Sequence, residues 1–459
     1  MLEKRIIINK NWLNISIIEA FLLMVCSVMH NFSLTTYLSI IIFILFLYRI
    51  YRKYPIFYIK YLLLLYPVFT SLISCVMIEF IDLNLIELQT KTFFVGSVPL
   101  LTLSYWVLFN TIISLDYDLR LNKNIKKPYN IDGYLKKPGK TLVVLCMLEL
   151  MILLVHFSYV FAKPAFLMGM QRIEYANVVL NNDLLNFLYG NAVMLLIFPL
   201  YLSLFFRNKY RVFGCFIILL YILDSIWIGN KFGTLFSLLS VAAIVYSQYC
   251  IFFVNNLKLI KIRIKFLFST FMGLVGLALI IHSFTLTGYI EDYFLYRLSA
   301  QGQLWWKIFL RYGYDVHIQD FISDLYPTLF LKSAITENVG ADYGIYKIMY
   351  LAAEDSRYVD AMLMSGYRYA EAGYAAMYYY FSFLGPIVYS ILYGILVYYM
   401  VNLFLNKIYK KDFLKAFLAI RILVFLVSSF SNFIFFQLFT IPTIISYFIL
   451  KYDKSIRIL

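Results

Sequence analysis

The stretch Trp227–Ser247, WIGNKFGTLFSLLSVAAIVYS, sets the class of this chain. One charge, Lys231, stands in a turn between Gly229 and Gly233, and apolar runs extend on both sides, over 212–229 and 232–254. An α-helix needs about 20 apolar residues to cross about 30 Å of hydrocarbon. Two such runs around a tight polar turn predict a membrane hairpin, with the glycines letting the backbone turn closely at the lysine.

The pattern recurs along the chain. Twelve spans are predicted, over 12–30, 33–49, 61–80, 92–115, 141–162, 186–206, 212–229, 232–254, 266–286, 374–405, 413–435 and 437–450. Composition agrees: 459 residues are 63% hydrophobic and 14% charged, where soluble proteins hold about 45–50% apolar and about 25% charged residues. The formal net charge of +15 is not a nucleic-acid signal, because the basic residues fall in short clusters between apolar runs. Cys26, Cys75, Cys146, Cys215 and Cys250 all lie in apolar runs, so no disulfide framework is expected. His30, His156, His282 and His317 are scattered without metal-binding spacing, and no metal is expected.

Charge sets the orientation. With the N-terminus inside, the cytoplasmic segments are 1–11, 50–60 with Arg49 at its edge, 116–140, 207–211, 255–265, 406–412 and 451–459, and each holds three to seven Lys and Arg. The short outer segments hold only Lys91, Lys163, Arg172 and Lys231. The positive-inside rule then gives an all-α polytopic membrane protein of about twelve transmembrane helices with both termini cytoplasmic. Lys4, Arg5 and Lys10 precede the first run with no small-residue cleavage site after it, so it reads as a retained span. The loop 116–140 reads as a solvated connector touching anionic lipid. No internal repeat of the kind inverted-repeat transporters carry is visible.

The division is 1–286 (nine spans), 287–373 (a large outer loop) and 374–459 (three spans). The outer loop has eleven acidic and seven basic residues. Loops this long without function are uncommon. It contains YFLYRLSAQGQLWWKIFLRYGYDVHIQDF, Tyr293–Phe321, with Phe294, Leu298, Trp305, Phe309 and Leu310 at helical spacing. The expectation is a helix over 290–312 lying at the membrane surface, Trp305 and Trp306 at headgroup level.

Charges in or beside spans are costly and are functional candidates by default. Lys231 is one. Arg421, inside FLAIRILVF, is another unless it snorkels or pairs with Glu19 or Glu149. Arg297, Arg311, Arg357 and Arg368 add outer cations suited to gripping phosphate, although Arg297 and Arg311 have Asp292 and Asp315 as alternative partners. Arg172 and Glu174 offer a second outer wall, which reads equally as a solvated loop. In SGYRYAEAGYAAMYYYFSFLGP, Arg368 and Glu371 share a helix face, and Tyr367, Tyr369 and Tyr374 supply aromatic faces suited to sugars. Glu371 is the first candidate general base if desolvated; Asp320 and His317 follow, with Asp292 and Asp360 as rivals.

Three stretches carry a family resemblance. GNKFGTLFSLLSVAAIVYS resembles the G-x-R turn and apolar helix of the Wzy-type polymerases of O antigen, capsule and enterobacterial common antigen, with Lys231 in place of the usual arginine. YFLYRLSAQGQLWW resembles the opening of that family's large periplasmic loop. AEAGYAAMYYYFSFLGPIVYSILYG is similar to its glycine-rich re-entry into the membrane. No Arg-x10-Gly repeat accompanies them. The resemblance implies a bundle similar to ligases and GT-C enzymes, in a bacterial inner membrane. It implies a glycosyltransferase on the periplasmic face that polymerises undecaprenyl-pyrophosphate-linked oligosaccharide repeat units, without a nucleotide sugar or other cofactor. A chain-length regulator is the implied partner protein.

Such chemistry needs cations at the departing pyrophosphate, with Lys231, Arg297, Arg311 and Arg421 as candidates. It needs a base at the acceptor hydroxyl, with Glu371, Asp320 and His317 as candidates. Arg368, Arg172 and Tyr374 complete the expected substrate-binding set. Two rivals remain open. A lipid-linked oligosaccharide flippase would share the spans and cations but with short outer loops. A GT-C transferase using a polyprenyl-phosphate sugar would show acidic residues in its first outer loops, for which Glu79, Asp82 and Glu87 are a partial match.

Overall fold

The computed structural model describes residues 10–85, 87–116, 138–165, 167–168, 175, 178–180, 182–206, 208–229, 232–253, 261–262, 264–265, 269, 273, 295, 298–331, 343–357, 359–360 and 371–451. The first half holds α1 (Lys10–Val28), α2 (Ser33–Lys53), α3 (Ile56–Lys60), α4 (Leu62–Phe80), α5 (Val98–Leu115), α6 (Lys140–Val160), α7 (Asp183–Leu195), α8 (Ile197–Phe205), α9 (Lys209–Trp227) and α10 (Phe232–Phe253). The second half holds α11 (Gln303–Tyr312), α12 (Ile318–Phe330), α13 (Gly344–Ala352), α14 (Ala372–Phe381), α15 (Leu384–Tyr409), α16 (Phe413–Asn432) and α17 (Ile441–Lys451). A two-stranded hairpin, Asn84–Leu85 with Thr90–Lys91, links α4 to α5.

Among the described residues eight helices are long and apolar enough to cross a membrane: α2, α4, α5, α6, the α7–α8 pair over Phe187–Phe205, α9, α15 and α16. Trp12–Val28, Leu238–Cys250 and Ile441–Lys451 are shorter apolar helices. The predicted span 266–286 lies outside the described residues. The helices form a bundle with an inverted dressing. Ile18, Phe21 and Leu34 on α1 and α2, Met151 on α6 and Leu392 on α15 are all 40% or more exposed. Water would not tolerate so much contiguous apolar surface, and lipid does.

The α5 helix is the centre of the bundle. It packs against α1, α2, α4 and α15, and Val98, Leu101, Leu108, Phe109 and Ile112 are fully buried. Every backbone group inside lipid must be satisfied within the protein, which the helical ladder does.

Two expectations change. The run 374–405 is not one span. The chain breaks at Ser382 (φ 50°), and α14 packs back against α15. With ten residues α14 is about 15 Å long, too short to cross. Gly385 permits the fold, since a Cβ there would lie 2.0 Å from the Met377 carbonyl oxygen.

The segment around Trp305 does not lie on the outside of the bundle but packs into it. Trp305 and Trp306 are 1% and 0% exposed, and their indole N–H groups donate to the Ser97 (3.0 Å) and Phe93 (3.2 Å) carbonyls. Phe93 lies before α5, and Ser97 is its N-cap, whose carbonyl also accepts from the Leu101 N–H (3.5 Å). Ser74 Oγ donates to the Ser299 carbonyl (2.7 Å), and a Cβ on Gly302 would meet Cys75 Sγ at 2.6 Å, so α11 is wedged into the bundle.

Candidate functional site

Two cavities meet beside α12. The first, about 570 Å³, is enclosed by α12, α14, α15 and α16. Its wall is apolar, with Phe321, Leu325, Met377, Phe381 and Phe430, and its rim includes the exposed Leu384, Val388 and Leu392 of α15. The second, about 550 Å³, is more polar and is lined by Ser323, Asp324, Pro327, Tyr343, Lys347 and Tyr350. Asp324 lines both.

The polar wall follows from helix spacing. Asp320 and Asp324 are four residues apart on α12 and so share a face. Lys347, from α13, lies 2.7 Å from Asp324 Oδ2 and 3.3 Å from Asp320 Oδ2. From α14, the Tyr380 hydroxyl donates to Asp324 (2.8 Å) and the Tyr379 hydroxyl to Asp320. His317, at the start of α12, stacks on Tyr379 at 4.4 Å and 15°, and its backbone N–H donates to the Tyr380 carbonyl (3.1 Å). His317 Nε2 is buried with no hydrogen-bond partner among the described residues. The bond from Tyr379 holds the Asp320 carboxyl below its ordinary value against the effect of burial, and Lys347 and His317 add to this. Asp320 is therefore a charged, weakly basic anchor.

Glu371 stands at the other end of α14. Its backbone is left-handed (φ 56°), a conformation a side chain bearing a Cβ adopts at a cost of about 1–3 kcal/mol. It is 8% exposed, and burial pushes its carboxyl up to about 8. Its charge acts on Tyr66, Cys75, Tyr105 and Tyr374, which places it deep among α4, α5 and α14. Among the described residues no hydrogen bond or ion pair holds this carboxyl. Tyr374, one turn on, is 3% exposed, accepts from Ser390 Oγ (3.2 Å) and meets Tyr105 edge-on at 5.0 Å. A Cβ on Gly373 would lie 1.9 Å from the Phe430 carbonyl oxygen, so only glycine lets α14 approach α16 here.

Of the predicted cations, Arg311, Arg357 and Arg421 lie among the described residues, each with a different partner. Arg311 donates to the Leu351 (2.9 Å) and Ala353 (3.3 Å) carbonyls and closes the C-terminal end of α13. It does not pair with Asp315; Asp292 lies outside the described residues. Arg421 pairs with neither Glu19 nor Glu149. Glu19 holds Arg49 at 2.5 Å and accepts from the Trp106 indole at 3.1 Å, while Arg421 lies over the Phe425 ring at 5.3 Å. It precedes Phe430 by nine residues, about 13 Å along α16, well away from the cavities. Lys231, Arg297, Arg368 and Arg172 lie outside the described residues, as do Tyr367, Tyr369 and Glu174. Arg357 pairs with Asp355 at an exposed position. Among the described residues no three His, Cys, Asp or Glu side chains converge as a metal-ligand set.

Sequence reasoning missed Lys347, Asp324, Tyr379 and Tyr380. The available signal was the i, i+4 pair Asp320 and Asp324 on an otherwise apolar helix.

Residues 338–447 are similar to DUF6418, a family of unknown function. That stretch contains Lys347, Glu371, Tyr379, Tyr380 and Phe430, and so one wall of each cavity. No curated protein and no solved structure matches the chain.

Proposed function

We propose that this chain is a membrane glycosyltransferase that joins oligosaccharide repeat units carried on a polyprenyl pyrophosphate, at the outer face of a bacterial inner membrane. The observation that carries this reading is the shared wall at Asp324. An apolar cavity rimmed by lipid-facing residues abuts a polar one lined by carboxylate, ammonium and tyrosine groups. A ligand with a long apolar tail and a hydroxylated head fits that pairing.

The roles follow from charge. Asp320, Asp324 and Lys347 together carry −1, which suits neutral sugar hydroxyls rather than a bare pyrophosphate. Arg297, Arg368, Arg172 and Lys231 are therefore the proposed phosphate cations. In the transfer, the acceptor oxygen bonds to the anomeric carbon, the bond from that carbon to the phosphate oxygen breaks, and the pyrophosphate leaves with the electron pair. The acceptor proton passes to Glu371, which lines neither cavity and stands about 13 Å along α14 from Tyr380, so the reacting sugar must reach that end of α14; its carboxyl lies at about 8. His317 is the second choice of base, through its unpartnered Nε2. Control of chain length by a partner regulator belongs to the same reading.

The test is synthesis by the purified, reconstituted chain from a lipid-linked oligosaccharide alone. Products longer by whole repeat units support the reading. Movement of intact lipid-linked units between leaflets, with no longer product, would identify a flippase instead.

A further inference from the structure

Away from the cavities, α6, α7 and α9 enclose a second set of ionisable groups. His156 Nδ1 lies 2.7 Å from Asp224 Oδ2, and the two side chains are 1% and 0% exposed. The imidazole stacks on Tyr189 at 4.0 Å and 12°. Tyr189 shares a hydrogen bond with Ser225 (2.8 Å) and stacks on Tyr221 at 5.9 Å. Glu149, about two turns from His156 on the same face of α6, is fully buried and acts electrostatically on Tyr221. His156 Nε2, Asp224 Oδ1 and both Glu149 oxygens have no hydrogen-bond partner among the described residues.

The charge balance makes this set informative. With a neutral imidazole and an ionised Asp224 the pair carries −1 inside a helical bundle in lipid. A lone charge there costs several kcal/mol even after relaxation. One proton added at Nε2 gives an imidazolium–carboxylate pair with no net charge. Among the described residues no lysine or arginine forms an ion pair with Asp224 or Glu149. Among the described residues the other titratable groups facing the set are Tyr189 from α7, Tyr221 from α9, Tyr175 from between α6 and α7, and Cys146 beside Glu149 on α6. Buried chains of His, Asp and Glu of this kind mark proton relays in membrane proteins.

We propose that His156, Asp224 and Glu149 form an intramembrane proton-binding chain, independent of the sugar chemistry. A proton enters at His156 Nε2, near the Trp227 end of α9, while the Nδ1 proton stays on its bond to Asp224. Release from the same nitrogen returns the pair to −1, while Glu149, fully buried with no hydrogen-bond partner among the described residues, keeps its own proton as the acid and feels the change in charge of the pair.

The test is infrared difference spectroscopy of the full chain in liposomes after a pH jump, comparing wild type with Asp224→Asn and Glu149→Gln. The expected result is carboxyl signals sensitive to deuterium exchange, one lost in each variant, with the imidazole signal shifted in Asp224→Asn. Superposable spectra for all three proteins would overturn the proposal. If Asp224→Asn fails to fold, His156→Gln replaces it and should shift the Asp224 carboxyl signal; an unshifted signal would again overturn the proposal. Polymer synthesis is measured separately, so loss of either activity leaves the other claim standing.

Discussion

The Lys347 ammonium lies 2.7 Å from Asp324 Oδ2, at the point where Asp324 forms part of the wall of both cavities. Lys347→Met strands a carboxylate whose side chain is only 8% exposed. Removing one partner of a fully buried pair costs roughly 3–5 kcal/mol, and less here because the Lys347 side chain is 17% exposed. The expected outcome is a lower thermal midpoint together with loss of long polysaccharide chains, and Lys347→Arg should recover much of both. Unchanged melting and chain length in Lys347→Met would mean that the pair does not organise the site.

Glu371 gives a pH signature. Between its ordinary value of 4.5 and about 8, the folded chain holds a proton that the unfolded chain releases. Stability therefore falls as pH rises across that window, by up to about 1.4 kcal/mol per pH unit. Above about 8 the slope ends. Glu371→Gln should remove this slope in denaturation measured across pH. Base catalysis needs the ionised form, so turnover should rise as pH climbs through about 8, and Glu371→Gln should lower it by roughly a hundredfold or more. A pH-independent rate would assign the base elsewhere.

Gly373→Ala tests the approach of α14 to α16. Its Cβ would sit 1.9 Å from the Phe430 carbonyl and 2.7 Å from the Tyr389 hydroxyl, so the helices must separate. A destabilisation of about 3 kcal/mol, at the upper end for overpacking, is expected. Gly190→Ala, inside α7 with no heavy atom near its Cβ, is the control and should melt no lower than wild type. Equal melting of the two variants would show that α14 is not seated as described.

Val388 lies on the rim of the apolar cavity and is 53% exposed. Val388→Trp should fill the cavity mouth without disturbing the fold. Polymer yield should drop while expression and melting hold. A full yield would place the lipid tail elsewhere.

The long apolar runs were legible because hydropathy alone reports them, and 33–49, 61–80 and 413–435 fall on α2, α4 and α16. The break at Ser382 was not, because Phe381, Phe383 and Leu384 around it are as apolar as the helices on either side and hydropathy does not register a backbone turn. Trp305 and Trp306 read as headgroup anchors since their partners, the carbonyls of Ser97 and Phe93, lie some 200 residues away in sequence. Glu371 was legible as a carboxylate at a re-entry point. Lys347 was not, since only tertiary packing brings α13 beside Asp320 and Asp324. The polar pair of α6 and α9 was hidden for the same reason: His156 and Asp224 each look like a lone polar residue in an apolar run.

The most direct measurement is deletion of the gene in its native host, complemented by wild type or by Glu371→Gln, with surface polysaccharide resolved on a gel. Deletion should leave single repeat units at the surface and remove the long-chain ladder; wild type should restore the ladder, and Glu371→Gln should not. Loss of single units as well, with lipid-linked units accumulating on the cytoplasmic side, would contradict it and identify a transporter.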